Sequence, residues 1–292
     1  MLVLALALPL AACGGDDEPT EPSGGDDEQT QDFPEGSTMA KIVDKGEITI
    51  GVKYDVPPFG FVEPGSDDPQ GFDVDMGTRI AEELGVRPVF TEAISDNRIP
   101  FLQDGTVDLI LSTMTITTDR DAEIDFSRPY YVAHQRILVP SGSDIGGIED
   151  LAGKNVCTVV GSTGESTLKE DAPDAKRRTV DSYSECFELL QNGAVDAEIS
   201  DDVILTGQVI QDDSLELVGE NLSTEPYGVG IPDGQTDMQG FVDGVLEETF
   251  EDGTWDALYE EWVGQYTGAE PEDPESLTLE DALKLFPCVE FC

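Results

Sequence analysis

The chain has 292 residues, enough for two compact lobes with hydrophobic cores. It carries 63 acidic against 15 basic side chains, for a formal net charge of −48. So negative a protein is a poor partner for nucleic acid or an anionic membrane surface, and its charge is typical of adaptation to a salty medium.

The N-terminal segment predicts export and a lipid anchor. Residues 1–12 are apolar and end in small residues, as a signal peptide does. Because Cys13 follows directly, the junction resembles a bacterial lipobox, and we expect cleavage before Cys13 and acylation of its thiol. Residues 13–40 are then the lipidated cysteine and an acidic disordered tether. This places the protein outside the cell, on the outer face of the cytoplasmic membrane and held there by the lipid alone.

Strand-like and helix-like patterns then alternate in two successive units. In the first unit, strands are predicted at 47–52, 87–93 and 107–113, with helices at 71–84 and 97–103. In the second, strands are predicted at 155–160, 178–181 and 194–200, with helices after 161–164, at 183–190 and at 201–211. Such alternation predicts parallel sheets covered by helices, and its repetition favours two similar α/β lobes over one large sheet.

The remaining segments complete the fold prediction. The chain passes 215–218 and 227–231 and then forms helices around 238–250 and 255–263. Residues 267–292 are an acidic C-terminal extension with a short amphipathic stretch at 277–286.

Cysteine usage fits an oxidising compartment. If Cys13 carries lipid, four cysteines remain: Cys157, Cys186, Cys288 and Cys292. An even remainder indicates two disulfides, with a zinc site as the alternative. Disulfides are favoured because positions 157 and 186 lack C-x-x-C spacing and the single histidine is distant.

Nine short segments resemble the polar amino-acid-binding members of the bacterial extracellular solute-binding proteins, family 3. They occur in family order between about residues 41 and 266: Pro57–Phe61, Gly71–Asp75, Val107–Leu109, Thr115–Arg120, Asp125–Ser127, Pro129–Tyr131, Leu151–Lys154, Gly161–Thr163 and Val195–Ala197. Within this family the chain looks most like the glutamate- and aspartate-binding lipoproteins of ABC transporters.

The resemblance implies two Rossmann-like α/β lobes joined by two crossing hinge strands, the type II periplasmic-binding-protein fold. The crossings fall near 131–139 and 223–231, so lobe 1 covers 41–132 plus 229–266 and lobe 2 covers 133–228. It also implies a Cys157–Cys186 disulfide, which leaves Cys288 and Cys292 for each other. The expected protein is a monomer that needs no metal or cofactor and works with the membrane permease of an ABC importer.

The resemblance further assigns the groups that hold the common part of a free amino acid. Arg120 takes the α-carboxylate, because a guanidinium fork matches two carboxylate oxygens. Asp201 pairs with the α-ammonium. Four further positions match contacts to the same zwitterion: Thr113, Thr115, Ser162 and Thr163. The alternative for Arg120 is a surface arginine at a helix start beside Asp119 and Asp121, and for the threonines it is ordinary capping.

The residues at the positions that contact the ligand side chain indicate an acidic ligand. Val56 and Ser95 stand where members that bind basic or amide side chains carry two aromatic rings. Lys53 and Arg98 match positions that contact the side-chain carboxylate in glutamate and aspartate binders, with Ser95 beside them and a polar ring at Tyr183. The alternative is that Lys53 and Arg98 only pair with neighbouring aspartates.

Other functions are alternatives to this hypothesis. A cyclohexadienyl-dehydratase-like enzyme acting on a diacid would also need basic residues, but it would need a general acid or base in addition. A binder of glutamine or another polar amino acid, and the sensor domain of a receptor, are further alternatives. Asp73 and Asp75 are predicted to favour a helix N-terminus, and His134 is predicted to be structural.

Overall fold

The computed structural model describes residues 33–268 and 270–286. The predicted signal peptide, Cys13, the tether before residue 33 and the pair Cys288 and Cys292 lie outside the described residues. Within the described part of the chain, no helix has both the length and the apolar character needed to cross a membrane.

Strands and helices alternate through most of the described chain. The strands are β1 (Glu47–Val52), β2 (Asp55–Val56), β3 (Gly60–Val62), β4 (Pro69–Gln70), β5 (Arg87–Glu92), β6 (Leu109–Ile110), β7 (Asp125–Pro140), β8 (Asn155–Val159), β9 (Lys176–Val180), β10 (Ala197–Asp201), β11 (Leu215–Val218) and β12 (Thr224–Ile231). The helices are α1 (Thr38–Lys45), α2 (Phe72–Glu83), α3 (Arg98–Asp104), α4 (Thr118–Asp121), α5 (Thr163–Glu170), α6 (Tyr183–Gln191), α7 (Asp202–Gln211), α8 (Thr236–Glu251), α9 (Thr254–Tyr259), α10 (Gln265–Thr267) and α11 (Leu279–Leu285). Short 3-10 turns lie at Ser95–Asn97, Ile148–Leu151 and Pro274–Ser276, and a π-helical turn follows α9 at Glu260–Gly264.

The first lobe is built on β1, which pairs in parallel with β5 on one side and β6 on the other. Alternate residues of β1 are fully buried, as a strand with one face on the core requires: Ile48, Ile50 and Val52. Helix α2 covers this sheet with residues at helical spacing, Phe72, Met76 and Ile80, none of which is exposed. The predicted strand at 47–52 and helix at 71–84 are confirmed.

The second lobe repeats this arrangement on β8, which pairs in parallel with β9 and β10. Cys157 on β8 and Cys186 on α6 are joined by a disulfide 29 positions apart in the sequence, so the implied pair is confirmed. A cross-link that closes a loop of this length stabilises the fold by roughly 3–4 kcal/mol in the chain-entropy account.

Two long strands connect the lobes. Strand β7 pairs with β12 along its first part and with β10 and β11 along its second part, so one strand takes part in both sheets. These pairings and that of β12 with β6 are antiparallel. The main sheet is therefore parallel within the core of each lobe and antiparallel where the chain crosses, which makes it continuous and mixed. Strands β2, β3 and β4 form a separate small antiparallel sheet. Two α/β lobes joined by two crossing strands are confirmed.

The predicted strand at 107–113 is longer than the strand that forms. Only Leu109–Ile110 are in β6; the Leu111 N–H still donates to the Gly51 carbonyl of β1, and the backbone bonds to side chains from Ser112 onward. The carbonyls of Ser112 and Thr113 accept from Arg98, and the Thr113 N–H donates to Asp73. These bonds turn the chain out of the sheet.

The C-terminal extension packs on the first lobe. Its amphipathic stretch forms α11, where Ala282 is fully buried against the cluster of apolar residues that includes Ile116. The carbonyl of Phe286 accepts from the N–H and hydroxyl of Thr118, at the start of α4. Nearer the crossing strands, Glu272 bonds to Nε2 of His134 at 2.7 Å. The extension is thus fixed along the first lobe, from a crossing strand to α4.

Candidate functional site

Most of the predicted site residues follow strands whose carboxyl ends meet between the lobes. Lys53 follows β1, Thr113 follows β6 and Asp201 ends β10. Helix α5, which begins at Thr163, follows β8. Open α/β sheets place ligands beyond the carboxyl ends of their strands. The fold therefore brings these residues to the cleft between the two lobes.

Lys53 lies in the first lobe and is only 2 % exposed. Its Nζ donates to Ser95 Oγ at 2.9 Å and to the Ala93 carbonyl at 3.4 Å, and it lies 5.7 Å from the ring centre of Tyr183. Burial, followed by the Arg98 guanidinium, holds the pKa of Lys53 well below its usual range. No ion pair joins Lys53 to a carboxylate of the described residues, so the alternative of pairing with a neighbouring aspartate is wrong for this side chain.

Arg98 is also 2 % exposed, and its guanidinium donates to four backbone carbonyls. Nε bonds to Ser95 at 3.1 Å, Nη1 to Ser112 and Thr113 at 3.0 Å each, and Nη2 to Gly161 at 3.3 Å. A guanidinium has five N–H donors, so these four bonds leave one N–H of Nη2. Arg98 therefore builds the wall of the cleft and keeps a single donor for another acceptor.

Thr113 has a positive φ of 44°, a conformation that a β-branched residue rarely adopts. Fully buried Asp73 supports it: one carboxylate oxygen accepts from the Thr113 N–H at 2.9 Å and the other from the Tyr130 hydroxyl at 2.7 Å. Burial raises the pKa of Asp73 to about 7. Asp73 and Asp75 stand in the first turn of α2, as predicted, but their side chains reach other elements, and Asp75 accepts from Trp262 Nε1.

Arg120 bonds to both lobes. Its Nη1 donates to the carbonyl of Thr115 at 2.7 Å in lobe 1, and its Nη2 donates to the carbonyl of Gly161 at 3.0 Å in lobe 2. Gly161 has φ of +73°, and a Cβ there would lie 2.9 Å from the Cα of Asp96. A glycine thus allows the lobes to approach closely beside Arg120.

The start of α5 supplies hydroxyls with two different tasks. Ser162 is the N-cap: its Oγ accepts from the N–H of Glu165 at 3.3 Å and donates to the Val159 carbonyl at 2.6 Å. Its hydroxyl is therefore used by its own helix and by the end of β8. The Thr163 hydroxyl instead donates to Glu225 at 2.9 Å. A plain N-cap role for Thr163 is wrong.

Glu225, on β12, is a site residue that the sequence analysis missed. Its buried carboxylate accepts from four side chains. One oxygen accepts from the hydroxyls of Thr115 at 2.7 Å and Thr163 at 2.9 Å. The other accepts from Gln135 Nε2 at 3.2 Å and from the Ser223 hydroxyl. The sequence offered one signal for Glu225, which is a single carboxylate in an otherwise apolar crossing strand. Such a group is buried only where hydrogen-bond donors or opposite charges compensate it.

Asp201 and Tyr183 line the second lobe, each about 5 % exposed. Asp201 accepts from the Tyr227 hydroxyl at 2.6 Å. Burial, followed by Glu225, raises the pKa of Asp201 well above its usual range. The Tyr183 hydroxyl is bonded to Ser200 and to Ser95, and burial raises its pKa.

The predicted residues therefore form one cluster of complementary charges. Arg120 and Arg98 provide guanidinium groups, Lys53 provides an amine, and Asp201 provides a carboxylate close to them. Such a cluster can hold a small molecule with an ammonium group and more than one carboxylate, since each charged group of that molecule finds an opposite one among buried side chains.

The chain is similar to proteins that bind amino acids. "ABC transporter glutamine-binding protein GlnH" of Bacillus subtilis is 35% identical over 267 residues, which cover 90% of this chain and 95% of that protein. "Glutamate-binding protein GluB" of Corynebacterium efficiens is 33% identical over 245 residues, 79% of this chain and 83% of its own. The solved structure "An ancestral arginine-binding protein bound to glutamine" has 39% sequence identity and a TM-score of 0.72, and the match covers 75% of this chain and 98% of that one.

These likenesses agree with a family model that spans most of the chain. The model of "Bacterial extracellular solute-binding proteins, family 3" matches residues 48–265, which include every residue of the cleft discussed above. The chain belongs to this family.

Proposed function

We propose that the protein captures an acidic amino acid, glutamate first and aspartate next, and delivers it to the membrane permease of an ABC importer. The observation that carries the proposal is Lys53, a buried amine without a carboxylate partner among the described residues. Burying an ionisable group is costly unless an opposite charge compensates it. The side-chain carboxylate of glutamate would supply that charge.

The proposed division of labour uses both lobes. Arg120 would hold the α-carboxylate and Asp201 the α-ammonium, with Thr113, Thr115, Ser162 and Thr163 around them. Lys53, the remaining N–H of Arg98, Ser95 and Tyr183 would surround the side chain. We take 41–132 plus 229–266 as lobe 1 and 133–228 as lobe 2. A ligand that bonds to both favours the arrangement in which they touch, and an importer can recognise that arrangement.

Glutamine is the second candidate ligand, since GlnH is named for glutamine and the ancestral protein was solved with it. Glutamine shares the α-groups of glutamate and differs only in the side-chain charge. The buried amine of Lys53 favours glutamate, because an amide leaves that group uncompensated. Calorimetric titration of the soluble part of the protein with the twenty amino acids decides between them. Tightest binding of glutamine would reject the acidic specificity.

A dehydratase on this fold remains the enzymatic alternative. Asp201 is the cleft group that such an enzyme would depend on, because its raised pKa suits proton transfer. The relatives named above are described as binding proteins, and we propose the same for this chain. An assay for turnover of a prephenate-like diacid, run on the same preparation, would reveal an enzyme by product formation.

At a pH above the lowered pKa of Lys53, glutamate binding is expected to take up a proton. Above the lowered pKa of Lys53 its amine is neutral, and a bound side-chain carboxylate favours the charged form. The affinity for glutamate should therefore fall as pH rises through that pKa, while the affinity for glutamine changes much less. Calorimetry in buffers of different ionisation enthalpy measures the proton directly. An equal pH dependence for the two ligands would contradict a role for Lys53.

We also propose that Cys13 carries the lipid that holds the protein on the outer face of the cytoplasmic membrane. Stable anchoring takes two membrane signals, since a single acyl chain binds only marginally. Intact-mass spectrometry of protein extracted from its native membrane should show a chain that begins at Cys13 and carries the mass of several acyl groups. A free thiol at that cysteine would instead indicate a secreted protein.

A further inference from the structure

The carboxylate of Glu225 is saturated by hydrogen bonds from four side chains. An ionised carboxylate offers about four acceptor sites on its two oxygens, and Glu225 receives four donors from Thr115, Thr163, Gln135 and Ser223. No acceptor site is left for a ligand. Glu225 therefore acts on the cleft only through the groups that it holds.

The four donors come from every part of the molecule that meets at the cleft. Thr115 belongs to the first lobe and Thr163 begins α5 in the second. Gln135 lies on β7, and Ser223 directly precedes β12, so the two crossing strands are represented as well. A single buried carboxylate thus bonds to side chains from both lobes and both crossings. Moving the lobes apart would break its bond to Thr115 or its bond to Thr163.

The direction of these bonds fixes the chemistry of the two threonine hydroxyls. A hydroxyl has one proton to donate and two lone pairs that accept. Thr115 and Thr163 both give their proton to Glu225, which can only accept while it is ionised. Thr163 Oγ1 already accepts from Gln135 Nε2 at 3.3 Å, so it keeps one lone pair for a further donor, and Thr115 Oγ1 keeps its lone pairs as well. They can accept from an ammonium group, but they cannot donate to a carboxylate.

We propose that Glu225 is a positioning residue that makes amino-acid binding depend on lobe contact. It orients hydroxyls of both lobes as acceptors for the α-ammonium, next to Asp201, and leaves the α-carboxylate to Arg120 and backbone N–H groups. This inference rests on the proposed function, since it concerns the amino-acid site. It narrows the predicted contact of the Thr163 hydroxyl with the zwitterion to the α-ammonium.

The test is Glu225→Gln, which keeps the size of the side chain and replaces one acceptor oxygen with a donor. The new NH₂ group takes the place of a carboxylate oxygen that accepted hydrogen bonds from two partners. Because a donor cannot accept these bonds, at least one hydroxyl must turn away from it. We expect a loss of affinity of about 10- to 100-fold, similar for glutamate and glutamine, because both share the α-ammonium. Glu220→Gln, at an exposed position in lobe 2, is the matched control.

Three further measurements separate positioning from a merely structural role. Thr163→Val removes the hydroxyl. The loss of affinity that it causes should not add to the loss caused by Glu225→Gln in the double variant, since both changes act through the Thr163 hydroxyl. Thr163→Ser should retain more affinity than Thr163→Val. Fluorescence transfer between labels on the two lobes should show that saturating ligand leaves a larger fraction of Glu225→Gln molecules with the lobes apart.

Each result bears on the inference. A folded Glu225→Gln variant that binds glutamate as the unaltered protein does would overturn it and leave the proposed function intact, as would additive losses in the double variant. If Glu225→Gln does not fold, equal affinities of Thr163→Val and Thr163→Ser would overturn it. An unaltered protein that binds no amino acid would overturn the proposed function and the inference together.

Discussion

Replacing Arg120 with alanine is expected to weaken the binding of every amino acid by roughly 30-fold or more. The guanidinium is proposed to hold the α-carboxylate, which all amino acids share. Removing one partner of a desolvated, hydrogen-bonded charge pair costs about 2–5 kcal/mol, because the other charge is left without compensation. The loss should be similar for glutamate, aspartate and glutamine, and titration calorimetry measures it for each.

Two companion variants make the Arg120 result specific. Arg120→Lys keeps the positive charge but loses the planar fork, so its affinity should lie between that of the alanine variant and that of the unaltered protein. Arg87→Ala removes an exposed guanidinium that pairs with Glu47 on the first lobe, and it controls for the loss of a positive charge from a very acidic protein. A loss confined to glutamate and aspartate would show that Arg120 reads the side chain instead of the common carboxylate.

Local patterns were sufficient to predict the body of each lobe. In β1 the alternation of apolar residues gives the strand and the face that it buries, and in α2 the helical spacing of Phe72, Met76 and Ile80 does the same. Both patterns depend on neighbours within a few positions, which a single sequence contains. The order of such elements then indicated two lobes.

Features that depend on distant partners were not predictable in this way. Strand β6 is shorter than predicted because the backbone of Thr113 bonds to Asp73 and Arg98. Glu225 accepts hydrogen bonds from the hydroxyls of Thr115 and Thr163, which lie 110 and 62 positions away in the sequence. No local pattern encodes which hydroxyl meets which carboxylate. The length of β7 also escaped prediction, since its two parts are buried by different lobes.

The basic residues of the cleft could be predicted from the sequence for a different reason. In a chain with 15 basic and 63 acidic side chains, a cation in an otherwise apolar segment stands out. The family resemblance identified Lys53 and the scarcity of basic residues supported it, but only the structure shows that its amine is buried without a carboxylate partner among the described residues. The structure likewise shows that Arg98 mainly builds the wall of the cleft, because four of its N–H donors bond to backbone carbonyls.

Lys53 therefore offers a cleaner test of selectivity than Arg98. Truncating Arg98 would leave several buried carbonyls without a donor and would disturb the wall of the cleft, so a loss of binding would have two explanations. Lys53 donates to one hydroxyl and, at 3.4 Å, to one carbonyl. Lys53→Met keeps the length and apolar stem of the side chain and removes only the amine, which makes the charge the main variable.

With Lys53→Met, we expect glutamate affinity to fall by about 10- to 100-fold and glutamine affinity to fall far less. A charge-assisted hydrogen bond is worth about 1.5–3 kcal/mol, and only glutamate loses one. The proton uptake that accompanies glutamate binding should disappear as well, since Lys53 is the proposed acceptor of that proton. Lys154→Met, at a surface lysine paired with Asp144, is the matched control and should alter neither quantity. Equal losses for glutamate and glutamine, with the control unchanged, would show that Lys53 supports the cleft without reading the side-chain charge.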